Sequence, residues 1–326
     1  MSCDIHSRIA GEGPAVPLHE RHSDRVRGRE YGVRSRAGSI YSLSYGQAEI
    51  SWKAIGQMNE CSPPWPRMLV GHVPVDLLDR DAALELVFTA LSDSDPIAVV
   101  SANLDHIHHF ADDAAWDERT AVGAPAGGLR WLTLLDGMPL VRTANARSGR
   151  EWPKLSGSDL ITPILEHAAE ARARVAFLGG TAETHELLLP ALAEQFPRLE
   201  VAGTWAPERA ELTDRVASEA IAAQIKAAEA DILVVGLGKP RQERWIAEYG
   251  TQTGAKALLA FGAVVDFLAC RIARVPERVS NAGGEWAWRL MLEPRRLARR
   301  YLVQGPPALV RLKRSAVVLE AAPASA

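Results

Sequence analysis

"VVGLGKPRQERWI" (residues 234–246) passes from a β-branched apolar run to a charged helical pattern across one short turn. Asp231 opens the strand, Ile232 to Val235 fill it, and Gly236 lets the chain turn sharply. Pro240 suits the first turn of the helix that follows, where its missing N–H loses nothing. A strand, a Gly-Leu-Gly turn and a helix start form a natural anion-holding junction, because the first backbone N–H groups of such a helix are unpaired. A lone Gly-x-Gly is also ordinary loop chemistry. The surrounding pattern decides between the two.

That pattern repeats from about residue 69. Asp79 or Asp81 can cap a helix through "ALELVFTAL", and "IAVVSAN" (97–103) reads as a buried strand with a helical stretch from Asp105. "LRWLTLLDG" is a strand ending at Asp136, and Ser158 begins a helix through "ITPILEHAAEARA". The strand "RVAFLGG" (174–180), a helix over 182–195, the strand "LEVAG" (199–203) and a helix over 211–228 lead into the quoted stretch, which "ALLAFG" (257–262) follows. Strands alternating with long helices predict an α/β fold: a mainly parallel, Rossmann-like sheet with helices on both faces. Ligands of such sheets sit beyond the carboxyl ends of the strands. Asn103, Asp136, Gly179–Gly180 and Gly236–Gly238 all fall there.

Residues 1–66, rich in Arg, Ser, Gly and Pro and closing on "SPPWP", read as a disordered N-terminal extension. The α/β domain is expected over 67–270, and 271–326 as a basic helical appendage and tail. The chain has 326 residues, 47% hydrophobic and 24% charged, which suits a soluble globular protein with ample core. A net charge of −3 gives no overall field for nucleic acid. The charge is uneven, however: residues 271–314 carry eleven Lys or Arg against three Glu. Cys3, Cys61 and Cys270 lie far apart and make no metal or disulfide pattern, which suits a reducing cytosol. No apolar run approaches the ~20 residues of a membrane span, and no signal peptide is visible.

Each candidate site has a plain alternative. Asp136-Gly137 is either an Asp-Gly turn or a carboxylate held at the mouth of the sheet as a general base. "DHIHHF" (105–110) suggests a metal centre, with His106 and His109 on one helical face and Asp112 or Asp113 nearby. No Cys or carboxylate clearly completes that ligand set, but a metal-dependent hydrolase built on it is one rival reading. "DSD" (93–95) matches an acidic metal-binding triplet of sugar transferases, yet it sits at the far side of the sheet and reads better as a solvated loop. "FLGGTAE" (177–183) is a second strand–glycine–helix junction, with Thr181 able to cap. A nucleotide-binding module without turnover is the other rival. No full G-x-G-x-x-G occurs, which weighs against a dinucleotide oxidoreductase.

Taken in order, "SAN", "LLDGMPLV", "KLSGSDLI", "VAFLGG", "DILVVGLGKPRQERWI", "FGAVVDFLAC", "RVPERV" and "EWAWRLMLEPRRLARRYL" resemble the WecG/TagA/CpsF family of bacterial glycosyltransferases over about residues 68–310. The resemblance implies inverting transfer from a UDP-sugar to a polyprenyl-diphosphate-linked saccharide in polysaccharide synthesis, with no essential metal and no other cofactor. It assigns the base to Asp136. It places Ser101, Asn103, Lys154, Gly179, Gly180, Gly236, Gly238 and Gln242 around the substrates, with Lys154 standing where the family usually has Arg. A Lys holds phosphate as a point charge and lacks the two-pronged guanidinium. Arg289, Arg295, Arg296, Arg299 and Arg300 are expected at the acceptor diphosphate or an anionic membrane surface, opposite an apolar side of Trp286, Leu290, Leu297 and Tyr301. The expected location is cytoplasmic and peripheral on the inner face of the membrane, with a second copy of the chain as a candidate partner.

Overall fold

The computed structural model describes residues 63–93, 95–112, 128–271, 290–291 and 298–319. A hairpin opens it, β1 (Arg67–Val70) and β2 (Val73–Asp76). Helix α1 (Arg80–Ala90) is capped by Asp79, whose side chain accepts from the Ala82 N–H. Then come β3 (Ile97–Ala102), α2 (Leu104–Phe110), β4 (Arg130–Leu135), α3 (Met138–Ser148) and α4 (Gly157–Ala171). The second half runs β5 (Arg174–Gly179), α5 (Ala182–Gln195), β6 (Glu200–Trp205), α6 (Arg215–Ala227), β7 (Ile232–Gly236), α7 (Arg241–Tyr249), a 3-10 turn, β8 (Ala257–Ala260) and α8 (Val264–Leu268). A π-helix (Arg299–Gln304), α9 (Gly305–Ser315) and β9 (Ala316–Leu319) end the described chain.

The nine strands form one sheet in the order β6-β5-β7-β8-β3-β4-β2-β1-β9. Every pairing is parallel except those of β1, which runs antiparallel to both β2 and β9. The α/β expectation is met. Two sets of helices pack among themselves, α1 with α4 and α5 with α8 in one, and α2 and α3 with α9 and α6 with α7 in the other. Strand β3 shows why both faces need cover: all six of its residues are buried. Ala98, Val100 and Ala102 join the cluster that holds Ile107 and Phe110 of α2, while Ile97 and Val99 alternate with them and lie outside it.

Local chemistry sets several boundaries. Ser156, not Ser158, precedes the first residue of α4. Pro163 inside α4 removes the N–H that would bond Asp159 O, and Arg80 Nη2 donates to that carbonyl instead at 3.4 Å. Asp76 is 1% exposed and accepts from Trp65 Nε1 (2.8 Å), Arg67 Nε (2.6 Å) and the Thr133 N–H (2.7 Å), which fastens the hairpin to β4. Residues 65–67 thus already belong to the folded body. The expected disorder of residues 1–62 lies outside the described residues.

Three findings depart from expectation. The hairpin strand β1 runs against the parallel sheet, because Gly71 and His72 alone separate it from β2. The end of the segment read as an appendage is woven into the sheet: β9 pairs with β1 from Ala316 to Leu319, and Ala308, Leu312 and Ala316 are buried. The i,i+4 spacing of 308 and 312 puts both on one face of α9, which the extended Ala316 follows at the helix end; basic residues between them mask the pattern in the sequence. Cys270 is disulfide-bonded, against the expectation of three unpaired cysteines. Among the described residues no helix is long and apolar enough to cross a membrane.

Candidate active site

The carboxyl ends of β3 and β4 bring the first group together. Ser101 is buried opposite Leu134, and the Asp136 N–H donates to Ala102 O at 2.9 Å. Asn103 caps α2, its Oδ1 accepting from the His106 N–H at 3.2 Å, while its Nδ2 donates to Asp136 Oδ2 at 3.3 Å. The cap therefore orients the carboxylate. Asp136 is half-buried, and Gly137 follows as the cap residue of α3. The Asp-Gly pair turns the chain and leaves a carboxylate at the sheet mouth.

Lys154 arrives from the loop before α4. The Leu155 N–H donates to Leu135 O at 2.7 Å, which ties this loop to the last residue of β4 and sets Lys154 beside the Asp136 turn. Lys154 Nζ lies 3.8 Å from Asp159 Oδ2, which also accepts from Ser156 Oγ at 2.6 Å. Gly157 allows the close approach: a Cβ there would stand 2.5 Å from the Phe261 ring.

The glycines form a second group, at the ends of β5 and β7. Gly179 pairs with Gly236, and a Cβ on Gly179 would lie 2.6 Å from the Gly236 carbonyl. Its φ of +106° also excludes an ordinary side chain. Packing of the two strand ends thus accounts for Gly179 and Gly236 without a ligand. Thr181 caps α5 and accepts from the Thr184 N–H at 3.2 Å. Gly180 and Gly238 have φ of +84° and +74° in the same mouth.

Gln242 does not reach into this mouth. It is 1% exposed, its Nε2 donates to Ala260 O (2.8 Å) and Glu243 Oε1 (3.0 Å), and its Oε1 accepts from the Gly238 N–H (3.1 Å). The side chain clips the Gly-Leu-Gly turn to the end of β8. The opening stretch is charged for a structural reason as well: Lys239 Nζ donates to Glu243 Oε1 at 2.6 Å, with the Glu243 side chain fully buried. His106 Nδ1 lies 3.4 Å from Lys239 Nζ and 3.9 Å from Glu243 Oε1. This buried network joins α2, whose cap holds Asp136, to the turn after β7. Sequence reasoning missed it, although Lys239 and Glu243 stand at the i,i+4 spacing of a helical ion pair. Pro240 precedes the helix instead of occupying its first position.

Among the described residues no group of three or more His, Cys, Asp or Glu is placed to hold a metal ion. His106 packs against Lys239, His109 faces Asp105 at 3.6 Å, and Asp112 pairs with Arg311. Asp113 lies outside the described residues. Asp93, from the "DSD" loop, pairs with Arg130 at the amino end of β4, away from the mouth. Of the arginines expected at a membrane or diphosphate, Arg289, Arg295 and Arg296 lie outside the described residues, as does the side chain of Arg300. Arg299 is exposed on the π-helix.

Burial holds His106 well below its ordinary range, reinforced by the charges of Lys239 and His109. The folded value is depressed below an unfolded value of about 6.5. Its contribution to stability is therefore intact above about pH 6.5 and is lost as the pH falls below that. Denaturant midpoints taken at pH 7.5 and 5.5 should drop more for the wild type than for His106→Gln. Equal drops in the two proteins would remove His106 as the cause.

The chain is similar to several known proteins. N-acetylglucosaminyldiphosphoundecaprenol N-acetyl-beta-D-mannosaminyltransferase of Bacillus subtilis (strain 168) is 25% identical over 166 residues, 51% of this chain and 62% of that protein. The protein of the same name from Bacillus spizizenii is 25% identical over 169 residues, with the same two shares. The match thus spans less than two thirds of these Bacillus relatives. The Staphylococcus aureus (strain MRSA252) protein of that name is 23% identical over 234 residues, 69% of this chain and 87% of its own length. Residues 68–321 match one family along nearly the whole described fold, and the chain belongs to the Glycosyl transferase WecG/TagA/CpsF family.

Proposed function

We propose that the protein transfers a sugar, with inversion, from a UDP-sugar to an N-acetylglucosaminyl-diphosphoundecaprenol type of acceptor. The donor class we assign is a UDP-N-acetylhexosamine, and the setting is the assembly of an exopolysaccharide or other cell-surface polysaccharide. The observation that carries the reading is the Asn103–Asp136 hydrogen bond at the sheet mouth, which holds a half-buried carboxylate in one orientation. A sugar hydroxyl is a weak nucleophile until a positioned base takes its proton. In this reading the acceptor hydroxyl attacks the anomeric carbon from the face opposite UDP, and its proton passes to Asp136. The bond from that carbon to the UDP oxygen breaks, and its electron pair leaves with UDP.

The leaving diphosphate gains charge. Backbone N–H groups at the start of α5 and in the Gly236–Gly238 turn, with Lys154, are assigned to meet it. No essential metal enters this scheme. The protein would work as a peripheral protein on the inner face of the cell membrane. Met291, Leu302, Val303 and Arg299 on the C-terminal segment are exposed, which supports that placement.

Two measurements test the reading together. Transfer to a lipid-diphosphate-linked N-acetylglucosamine should proceed at an undiminished rate in EDTA, and NMR of the product should show an inverted anomeric centre. Abolition by EDTA with rescue by Mg²⁺ or Mn²⁺ would overturn the metal-free scheme, and retention of configuration would overturn the role of Asp136 as base.

A further inference from the structure

A cleft of about 510 Å³ lies between α3 and α9, away from the glycine turns. Its walls include Pro139, Arg142, Thr143 and Arg147 from α3, with Leu309 and Lys313 from α9. On α3 the spacing 139, 142, 143, 147 marks one helical face, while Leu140, Val141 and Ala144 form the buried one. Three cations thus line a recess floored by proline and leucine. Arg142, Arg147 and Lys313 make no ion pair with a carboxylate among the described residues. Arg147 Nη2 donates to Lys313 O at 3.1 Å, which latches the two helices and fixes one wall.

The cleft has a direction. Pro139, at one end, is three residues beyond Asp136, and α3 then leads away at about 1.5 Å per residue. Arg142 stands about 6 Å along the helix from Met138, and Arg147 about 13 Å. A ligand with its sugar at Asp136 would carry its diphosphate past Arg142 and Arg147 and its tail toward α9. Leu302, Val303, Val310 and Val317, on α9 and the elements flanking it in the chain, are exposed.

We infer that this cleft binds the prenyl-diphosphate portion of the lipid-linked acceptor, with Arg142, Arg147 and Lys313 on the diphosphate, Pro139 at the sugar end and Leu309 against the first isoprene units. The assignment rests on the transferase reading above for the identity of the ligand. An anion joined directly to an apolar chain is what the walls complement. A nucleotide base would find no aromatic side chain among the cleft residues named. A membrane surface needs protruding charges, and a recess adds nothing to it.

Calorimetry with farnesyl diphosphate, which carries no sugar and needs no donor, tests the cleft separately from turnover. The full-length wild type should bind it, and the Arg142→Ala/Arg147→Ala/Lys313→Ala variant should bind it at least about tenfold more weakly, because charge-assisted contacts are lost. UDP affinity should be unchanged. If the triple variant misfolds, Lys313→Glu, an exposed single change, should still weaken farnesyl diphosphate several-fold. No binding by the wild type, or equal binding by folded variants, would overturn the assignment. Sedimentation with vesicles of phosphatidylglycerol and phosphatidylcholine separates the other source of phosphate. The proposal expects the variant to sediment nearly as the wild type does. Loss of sedimentation with farnesyl diphosphate binding intact would make the cleft a membrane contact and overturn it. A wild type that binds farnesyl diphosphate in a variant-sensitive way yet transfers no sugar would keep the cleft and sink the transferase reading.

Discussion

Asp136→Asn should lower turnover by about 10²–10⁴-fold while leaving UDP affinity nearly unchanged, the range general-base catalysis supplies. The substitution is a clean probe because of its surroundings. Asn103 Nδ2 can donate to the amide oxygen as it does to the carboxylate, and the backbone bond from residue 136 to Ala102 O is untouched. What disappears is the ability to take a proton. Steady-state rates with calorimetry for UDP on the same sample separate the two effects. A variant with wild-type turnover would take Asp136 out of the mechanism, and one that lost UDP affinity in proportion would make the residue a donor contact.

The second large effect is on stability. Lys239→Ala should destabilise the fold by about 3–5 kcal/mol, the usual cost of leaving one partner of a buried pair uncompensated. Glu243 is fully buried, and its Oε1 would keep only the Gln242 amide as a donor. Its Oε2 has no hydrogen-bond partner among the described residues, so nothing nearby stands ready to replace the lysine. Adding Glu243→Gln to make a neutral pair should restore much of the loss. Denaturant midpoints at neutral pH read both. A loss below about 1 kcal/mol, the range of surface pairs, would contradict the burial described. Since this network braces α2, the single variant should also disturb the Asn103–Asp136 geometry and lower turnover, even where the protein remains folded.

The parts of the fold legible in the sequence were those with a strong local signal. Ile97–Ala102 and Ile232–Val235 are continuous apolar runs, as strands covered on both faces must be. Thr181 and Asp79 precede their helices at cap positions, and the structure places both as caps. The β1–β2 hairpin and β9 escaped notice because each is four residues long and their pairing is long-range: Arg67 meets Leu319. No window of sequence holds that contact. The same limit explains the site. Asn103 and Asp136 could be named from strand ends, but whether Gln242 turned outward or inward depended on the Ala260 carbonyl, eighteen residues away. The C-terminal segment shows the practical consequence. Cutting the chain at 271 to test membrane binding would also strip β9 and the buried Ala308, Leu312 and Ala316 from the core, so point substitutions on its exposed face are the sounder probe.

The central claim is sugar transfer at the Asp136 mouth, and mass spectrometry of the lipid product tests it most directly. The purified protein would be incubated with a panel of UDP-N-acetylhexosamines and N-acetylglucosaminyl-diphosphoundecaprenol. The account predicts that one donor adds a single sugar to the lipid, with UDP released in equal amount and only when the acceptor is present. UDP binding with no mass gain from any donor would contradict it and leave a nucleotide-binding module in its place.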